Sequence, residues 1–252
     1  MNKIKKLRQN DPILDYKIEC SKQLWKDLEQ MRTKYIVSFS GGKDSSAMLM
    51  KLIQNKEPID EVVCCWSDVL YEEDYFNIDL AQEKCKKLGI PFTILKHSFK
   101  DLLFNKYKKF PIFCCRWCTQ KLKTEPIRKY LKDKYGNNYI CYVGFTIDEI
   151  NRTKQGVNQN NKCFPLIDKY KMTDKDCLEF ARDNGFIFNT KFSRSGCWCC
   201  PLMNMKDNYI LITEYPEKWN QIKEWEKQLG IKWKTKGCDY WENKLKELEN
   251  EN

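Results

Sequence analysis

No apolar run in the 252 residues approaches the roughly 20 that a membrane-spanning helix needs, so no such helix is expected. Met1 to Cys20 is basic but holds no apolar stretch, which argues against a secretory signal and gives the expectation of a soluble, cytoplasmic chain. Internal repeats and low-complexity linkers are also missing. That leaves one or two ordinary globular domains rather than a fibrous, solenoid or disordered chain. What the chain has in excess is positive charge and cysteine. Lys and Arg total 45 against 35 acids, a formal +10, which favours an anionic ligand: a nucleotide, nucleic acid or an acidic protein. A Lys- and Asn-rich composition would produce the same excess with no ligand at all. Fourteen cysteines is high for a reducing compartment, where thiols stay free, bind metal or react instead of forming disulfides.

Hydrophobic patterning predicts alternating strands and helices. Strands are expected at Tyr35–Phe39, Val62–Trp66, Phe92–Leu95 and Tyr139–Val143. Helices are expected at Ser46–Ile53, Asp74–Leu88 and Thr124–Tyr135, the last with Pro126 in its first turn. A lead-in helix carries Leu24, Leu28 and Met31 at helical spacing. Further helices are expected at Thr173–Asn184, with Thr173 as N-cap, at Pro216–Leu229 and at Tyr240–Leu248. Strict alternation predicts an α/β fold, a doubly wound, mostly parallel sheet with helices on both faces. The expected layout is a basic helical lead-in over 1–33, a nucleotide-binding domain over 34–190, and a Cys-rich, helical segment over 191–252 packed on it. Trp219, Ile222 and Trp225 read as packing residues rather than base-stacking ones.

The most informative stretch is Ser40-Gly41-Gly42-Lys43-Asp44-Ser45, set where the first strand hands over to a helix. Open α/β sheets bind ligands at the carboxyl ends of their strands. Two glycines let the backbone approach a phosphate while loop and helix N–H groups point at it. Lys43 adds a mobile charge, and Ser40 and Ser45 add hydroxyl donors. Asp44 suits positioning Mg²⁺ or holding the loop rather than touching phosphate. A second signal is the pair Cys115-x-x-Cys118 and Cys197-x-x-Cys200, each with an extra neighbour, Cys114 and Cys199. Two chelating pairs close a tetrahedral thiolate site, and on spacing alone zinc and a [4Fe–4S] cluster fit equally. Cys20, Cys64, Cys65, Cys85, Cys141 and Cys177 read instead as small buried hydrophobes.

Ser-Gly-Gly-Lys-Asp-Ser resembles the PP-loop of the adenine-nucleotide α-hydrolases, or N-type ATP pyrophosphatases, and not a Walker A loop. Cys118-Thr119-x-x-Leu122-Lys123-x-x-Pro126-Ile127 and Gly144 to Glu149 with Arg152 resemble segments of the phosphoadenosine phosphosulfate (PAPS) reductase family. Gly196-Cys197-x-x-Cys200-Pro201 is similar to an element of that family's phage and mobile-element members. The likeness runs from about Tyr35 to Pro201. It departs from the sulfonucleotide reductases in keeping the Lys-Asp loop, in lacking a terminal Cys-Gly-x-His segment, and in placing Thr146 where Arg is frequent. The sole histidine, His97, ends the third strand.

The resemblance therefore implies an enzyme that cleaves ATP, with Mg²⁺, to AMP and pyrophosphate and activates an acceptor for sulfur transfer, catalysis resting on Lys43, Asp44 and Ser45. The acceptor class is nucleic acid or a nucleotide, and a sulfur-donor protein is the implied partner. The resemblance also tilts the metal toward [4Fe–4S] over structural Zn²⁺. Two other readings stand beside this one: a sulfonucleotide reductase that releases sulfite, and a non-catalytic nucleotide- or DNA-binding subunit of a modification or defence system. Nucleotide contacts are expected from Ser38, Ser40, Gly41, Gly42, Lys43, Asp44, Ser45, Asp68, Gly144 and Arg152. Lys121, Lys123, Arg128, Arg152 and Arg194 form a candidate basic rim or a solvated face. Lys106, Lys108 and Lys109, around Tyr107 and Phe110, are a weaker nucleic-acid signal. The oligomeric state stays open.

Overall fold

The computed structural model describes residues 12–153, 161–193 and 196–250. Five strands form one sheet: β1 (Lys34–Phe39), β2 (Glu61–Ser67), β3 (Phe92–His97), β4 (Tyr139–Tyr142) and β5 (Lys162–Cys163). Every pairing is parallel, and the spatial order is β3-β2-β1-β4-β5. The chain builds outward from β1 through β2 and β3, then returns to β1's other side with β4. That reversal opens a crevice between the carboxyl ends of β1 and β4, where sheets of this class bind ligands.

The helices explain why both faces are covered. On one face Val37, Phe39, Val62 and Cys64 pack against α2 (Lys43–Gln54), α3 (Glu72–Lys87) and α5 (Asp174–Asp183) through Met48, Leu49, Ile78 and Ala181. On the other, Ile36, Val63 and Cys141 meet Leu131 of α4 (Glu125–Tyr135). A strand buried on both faces needs apolar residues at successive positions, and Glu-Val-Val-Cys-Cys-Trp-Ser in β2 supplies them. The architecture is the expected parallel α/β fold. Thr173 caps α5 in a full capping box with Asp176, and Pro126 occupies the first turn of α4, both as the sequence implies.

A third core lies beyond the sheet. The segments after β2 and β3 contribute Val69, Phe99, Leu103 and Trp117. They pack against α6 (Met205–Glu214), α7 (Pro216–Leu229) and α8 (Cys238–Asn250) through Leu211, Trp219, Ile222, Trp225 and Trp233. Trp219, Ile222 and Trp225 are buried, as packing residues should be. The sequence reading did not include β5, too short to carry a period, nor α6, whose apolar face is interrupted by buried Asp207 and Asn208. The π-helical turns at Leu102–Tyr107 and Gln120–Thr124 were not among the expected elements either.

One expectation is overturned among the cysteines. Cys64, Cys65, Cys85, Cys141 and Cys177 are buried, but Cys20 is exposed on α1 (Pro12–Met31). The same helix leaves Leu24, Trp25, Leu28 and Met31 exposed, so its apolar spacing reflects no packing within the described residues. Those residues, which include all fourteen cysteines, hold no disulfide. No described helix is long and apolar enough to cross a membrane.

Candidate functional site

The loop from Ser40 to Ser45 joins β1 to α2 at the carboxyl end of the sheet. Gly41 adopts φ +80°, and a Cβ there would lie 2.8 Å from the carbonyl oxygen of Asp74. Glycine is thus needed both for the left-handed turn and for contact with the first turn of α3. Gly144, just past β4, makes a second close approach: a Cβ would sit 3.1 Å from the Asp44 carbonyl and the Ser45 nitrogen. Ser45 Oγ donates to the Gly42 carbonyl at 2.9 Å, accepts from the Ser40 N–H at 3.2 Å, and lies 3.1 Å from Ser40 Oγ. Fully buried Asn77 donates to the Gly41 carbonyl at 2.9 Å and, through both ends of its amide, ties Ile187 to the loop. Gly42 caps α2 in extended conformation without a side-chain bond. Such a helix start turns its first N–H groups toward an external acceptor and suits an anion.

Lys43 is the cation of this cradle. Its Nζ lies 2.8 Å from Asp44 Oδ1 and 2.9 Å from Asp174 Oδ2, and Thr146 donates to the other oxygen of Asp174 at 2.6 Å. Burial pushes the Lys43 pKa down, but the two carboxylates outweigh it and the net shift is upward. Burial also raises Asp44, an effect that Lys43 only partly offsets. For Asp174 burial works upward as well, yet the Thr146 hydroxyl and Lys43 together lower it. A phosphate entering the loop would meet an ammonium already charged and held at the mouth by two acids. Asp174 and Thr146 were not in the sequence-derived site. The available signal was the capping box, which placed Asp174 in the first turn of α5 without revealing which loop that turn faces.

The thiols come from two distant segments. Ile112 and Cys115 close a tight turn ahead of Cys118. Cys197 bridges antiparallel to Leu70, just beyond β2, and the Trp198 N–H donates to the Val69 carbonyl at 3.1 Å. A side-chain hydrogen bond to Cys200, with burial, raises the Cys197 pKa well above the thiol range. Burial, then Cys200 and Cys118, raises Cys199, while burial and Cys200 raise Cys118. The structure therefore brings Cys118, Cys197, Cys199 and Cys200 within each other's field. Cys114 and Cys115 are exposed. Among the described residues no three Cys, His, Asp or Glu side chains are spaced to hold a metal ion. The donor chemistry nonetheless fits a thiophilic cation: mutually repelling thiols stay protonated alone, and such an ion deprotonates them.

Asp74 joins the two regions. Its carbonyl touches Gly41, while its buried carboxylate accepts from the Tyr71 and Gly196 N–H groups. Burial pushes its pKa up to about 7, partly offset by Lys123. Lys123 also acts on Cys118 and Cys197, so it stands between cradle and thiols.

The phosphoadenosine phosphosulfate reductase domain matches residues 34–203. The chain belongs to the PAPS reductase family. Among curated relatives, one uncharacterized protein of Methanocaldococcus jannaschii is 26% identical over 94% of this chain and 52% of its own. A second from that organism is 31% identical over 73% of this chain and 45% of its own. A nin region protein of Escherichia phage lambda is 27% identical over 47% of this chain and 50% of its own. The chain thus spans about half the length of the curated relatives it matches. Among solved structures, the U34-tRNA thiolase NcsA from Methanococcus maripaludis, with its [4Fe–4S] cluster, has a TM-score of 0.45 at 16% identity, covering 79% of this chain and 73% of that one. PAPS reductase from Candida auris has a TM-score of 0.45 at 13% identity, covering 65% and 82%.

In this member of the family the remaining sequence-derived residues fall as follows. Ser38 lies within β1, half-buried and paired with Val63. Asp68 accepts from Ser98 Oγ and the Phe99 N–H, both at 2.6 Å, so its carboxylate caps the turn after β3. Arg152 pairs with Glu149 and covers the Phe145 ring at 4.4 Å, near enough to act on Asp174. Of the basic rim, Lys121 is tied to Glu125 at 2.5 Å, Arg128 follows on α4, and Lys123 faces the thiols. Arg194 lies outside the described residues.

Proposed function

We propose that this chain is an ATP-binding PP-loop enzyme that cleaves ATP to AMP and pyrophosphate and so activates a nucleic-acid or nucleotide acceptor for sulfur transfer. The observation that carries this reading is the bridge at Asp74, which couples the Lys43 cradle to the Cys197–Cys200 turn through one helical turn. An acceptor oxygen attacks the α-phosphorus, the α–β bridge breaks, and pyrophosphate leaves; sulfur then displaces AMP from the adenylated carbon. Loop N–H groups and Lys43 stabilise the charge growing on the leaving pyrophosphate, where preorganised donors have their largest effect. Asp44, freed from Lys43 when phosphate binds, is the residue to position Mg²⁺. Gly144 and Asn77 keep the cradle narrow. Cys118, Cys197 and Cys200, with Cys115 or Cys199 as fourth ligand, would hold a [4Fe–4S] cluster or zinc. When bound, that group supplies a Lewis-acidic site for sulfur.

The test is anaerobic purification followed by two assays: pyrophosphate release from ATP with Mg²⁺, and sulfite release from sulfated adenosine nucleotides with a thiol donor. Pyrophosphate release that disappears in Lys43→Ala supports the reading. Sulfite release without ATP would replace it with a reductase. Tight ATP binding with neither product would make the chain a non-catalytic subunit.

A further inference from the structure

The excess positive charge is not spread over the molecule. Residues 104–124 and 230–237 hold nine Lys or Arg and no acid. The other 223 residues carry 36 cations against 35 acids. Compositional bias would distribute the excess, so its concentration in 29 residues needs a local cause. These two segments, far apart in sequence, form the facing walls of one groove. A cleft of about 530 Å³ is lined by Lys109, Ile112 and Cys115 on one side and Ile231, Lys232 and Thr235 on the other. A smaller cavity of about 210 Å³ continues it past Phe113, Lys236 and Trp241, sharing Ile112 and Thr235. Among the described residues, Lys121 alone of the nine has a carboxylate within ion-pair distance.

The aromatic residues are not those the sequence suggested. Tyr107 is stacked on Trp117 at 4.4 Å with rings 8° apart, and Phe110 is buried, so neither is available to a ligand. Phe113 is 82% exposed at the groove's edge. A phenylalanine held in water beside unpaired lysines has no role in the cores of this fold. A neighbouring cleft of about 620 Å³ differs in chemistry: Glu224, Glu226 and Asp239 line it together with Lys223, Lys227 and Lys232, so its charges are balanced.

We propose that this groove binds a single strand of nucleic acid, Lys109, Lys232 and Lys236 following the phosphates and Phe113 stacking on a base. Charge on both walls suits a backbone of regularly spaced anions, and a sequence-tolerant aromatic platform suits an unpaired base. The groove reaches Cys115, three residues from Cys118, so a strand lying in it would end beside the thiols. The proposal deepens the sulfur-transfer reading and rests on it for the purpose of the strand, but strand binding requires neither ATP nor a metal.

The experiment is fluorescence anisotropy on the full chain with a labelled single strand of about twelve nucleotides, as DNA and as RNA, without nucleotide. Lys109→Ala/Lys232→Ala should weaken binding at least tenfold at low salt and flatten the slope of log affinity against log salt by about 1.4. Phe113→Ala should weaken it on the order of tenfold with the slope unchanged. Both variants should bind ATP like the parent, since the cradle lies outside the groove. Equal binding by these variants, or equal competition by duplex DNA or polyglutamate, would overturn the groove. If DNA and RNA arms differ, the tighter one names the acceptor's sugar. Strand binding that persists without any pyrophosphate release would leave the groove standing and remove the enzymatic reading instead.

Discussion

The phosphate-type cradle and the thiol cluster sit beside each other yet are built in opposite ways. The cradle is six consecutive residues whose bonds are mostly internal: Ser40 to Ser45, Ser45 to Gly42, Lys43 to Asp44. Its positive charge is compensated before any ligand arrives. The thiol cluster is assembled from residues about eighty apart and rests on a tryptophan-rich core, with the Trp233 indole donating to the Cys199 carbonyl at 3.2 Å. Its thiols stay neutral, since burial and each neighbouring thiol raise the next. A preformed cradle would accept an anion without reorganising. Neutral thiols in one another's field would need a thiophilic cation to ionise together.

Removing the charge of the cradle should have the largest consequence. Lys43→Ala is expected to lower pyrophosphate release by about 10²- to 10³-fold while circular dichroism stays unchanged, because the fold's cores lie elsewhere. Normal turnover in that variant would detach the cradle from the chemistry. On the other side, Cys200→Ser should reduce bound iron, or zinc, to below roughly a tenth of the parent's content and leave ATP affinity intact. Parental metal content together with parental thiol reactivity would show that the cluster is only a packing feature.

Gly41→Ala tests the contact between the two regions. With φ at +80° and the Asp74 carbonyl 2.8 Å from the new methyl, it should cost about 1–3 kcal/mol in urea denaturation and weaken ATP binding. A stability equal to the parent's would mean that the loop relaxes freely. The smallest effect is pH-dependent. Asp74 titrates near 7 in the folded chain, above its ordinary range, so from about pH 4 to 7 the native state holds a proton that the unfolded chain has lost. Its contribution to stability is then greatest below the unfolded pKa and falls as pH rises toward 7, by at most about 1.4 kcal/mol per unit. Asp74→Asn should remove that slope and be relatively more stable at pH 8 than at pH 5. Parallel urea midpoints for the two proteins at both pH values would refute the assignment.

How much was legible follows the same division. The strands β1 to β4, the loop after β1 and the capping box of α5 could be read because each is set by residues within one or two turns of each other. The cysteine pairs were visible as spacing, but not that Cys199 joins Cys118, Cys197 and Cys200 while Cys115 stays at the surface. Asp68 looked like a ligand residue from its place after β2, and only the fold reveals Ser98 and Phe99 waiting to bond it. Asn77 in mid-helix and Asp174 in a helix's first turn carried no mark of the loop they serve.

By itself the sequence determined the parallel α/β order, the glycine turn that admits an anion, and the presence of two chelating cysteine pairs, since each depends on local backbone preference or on spacing along the chain. Tertiary structure alone decided that Asp74 joins cradle to thiols, that Lys43 is shared between two acids, and that Lys109, Lys232 and Lys236 line one groove. Those depend on which distant surfaces burial brings together, and burial is a property of the whole fold rather than of any segment.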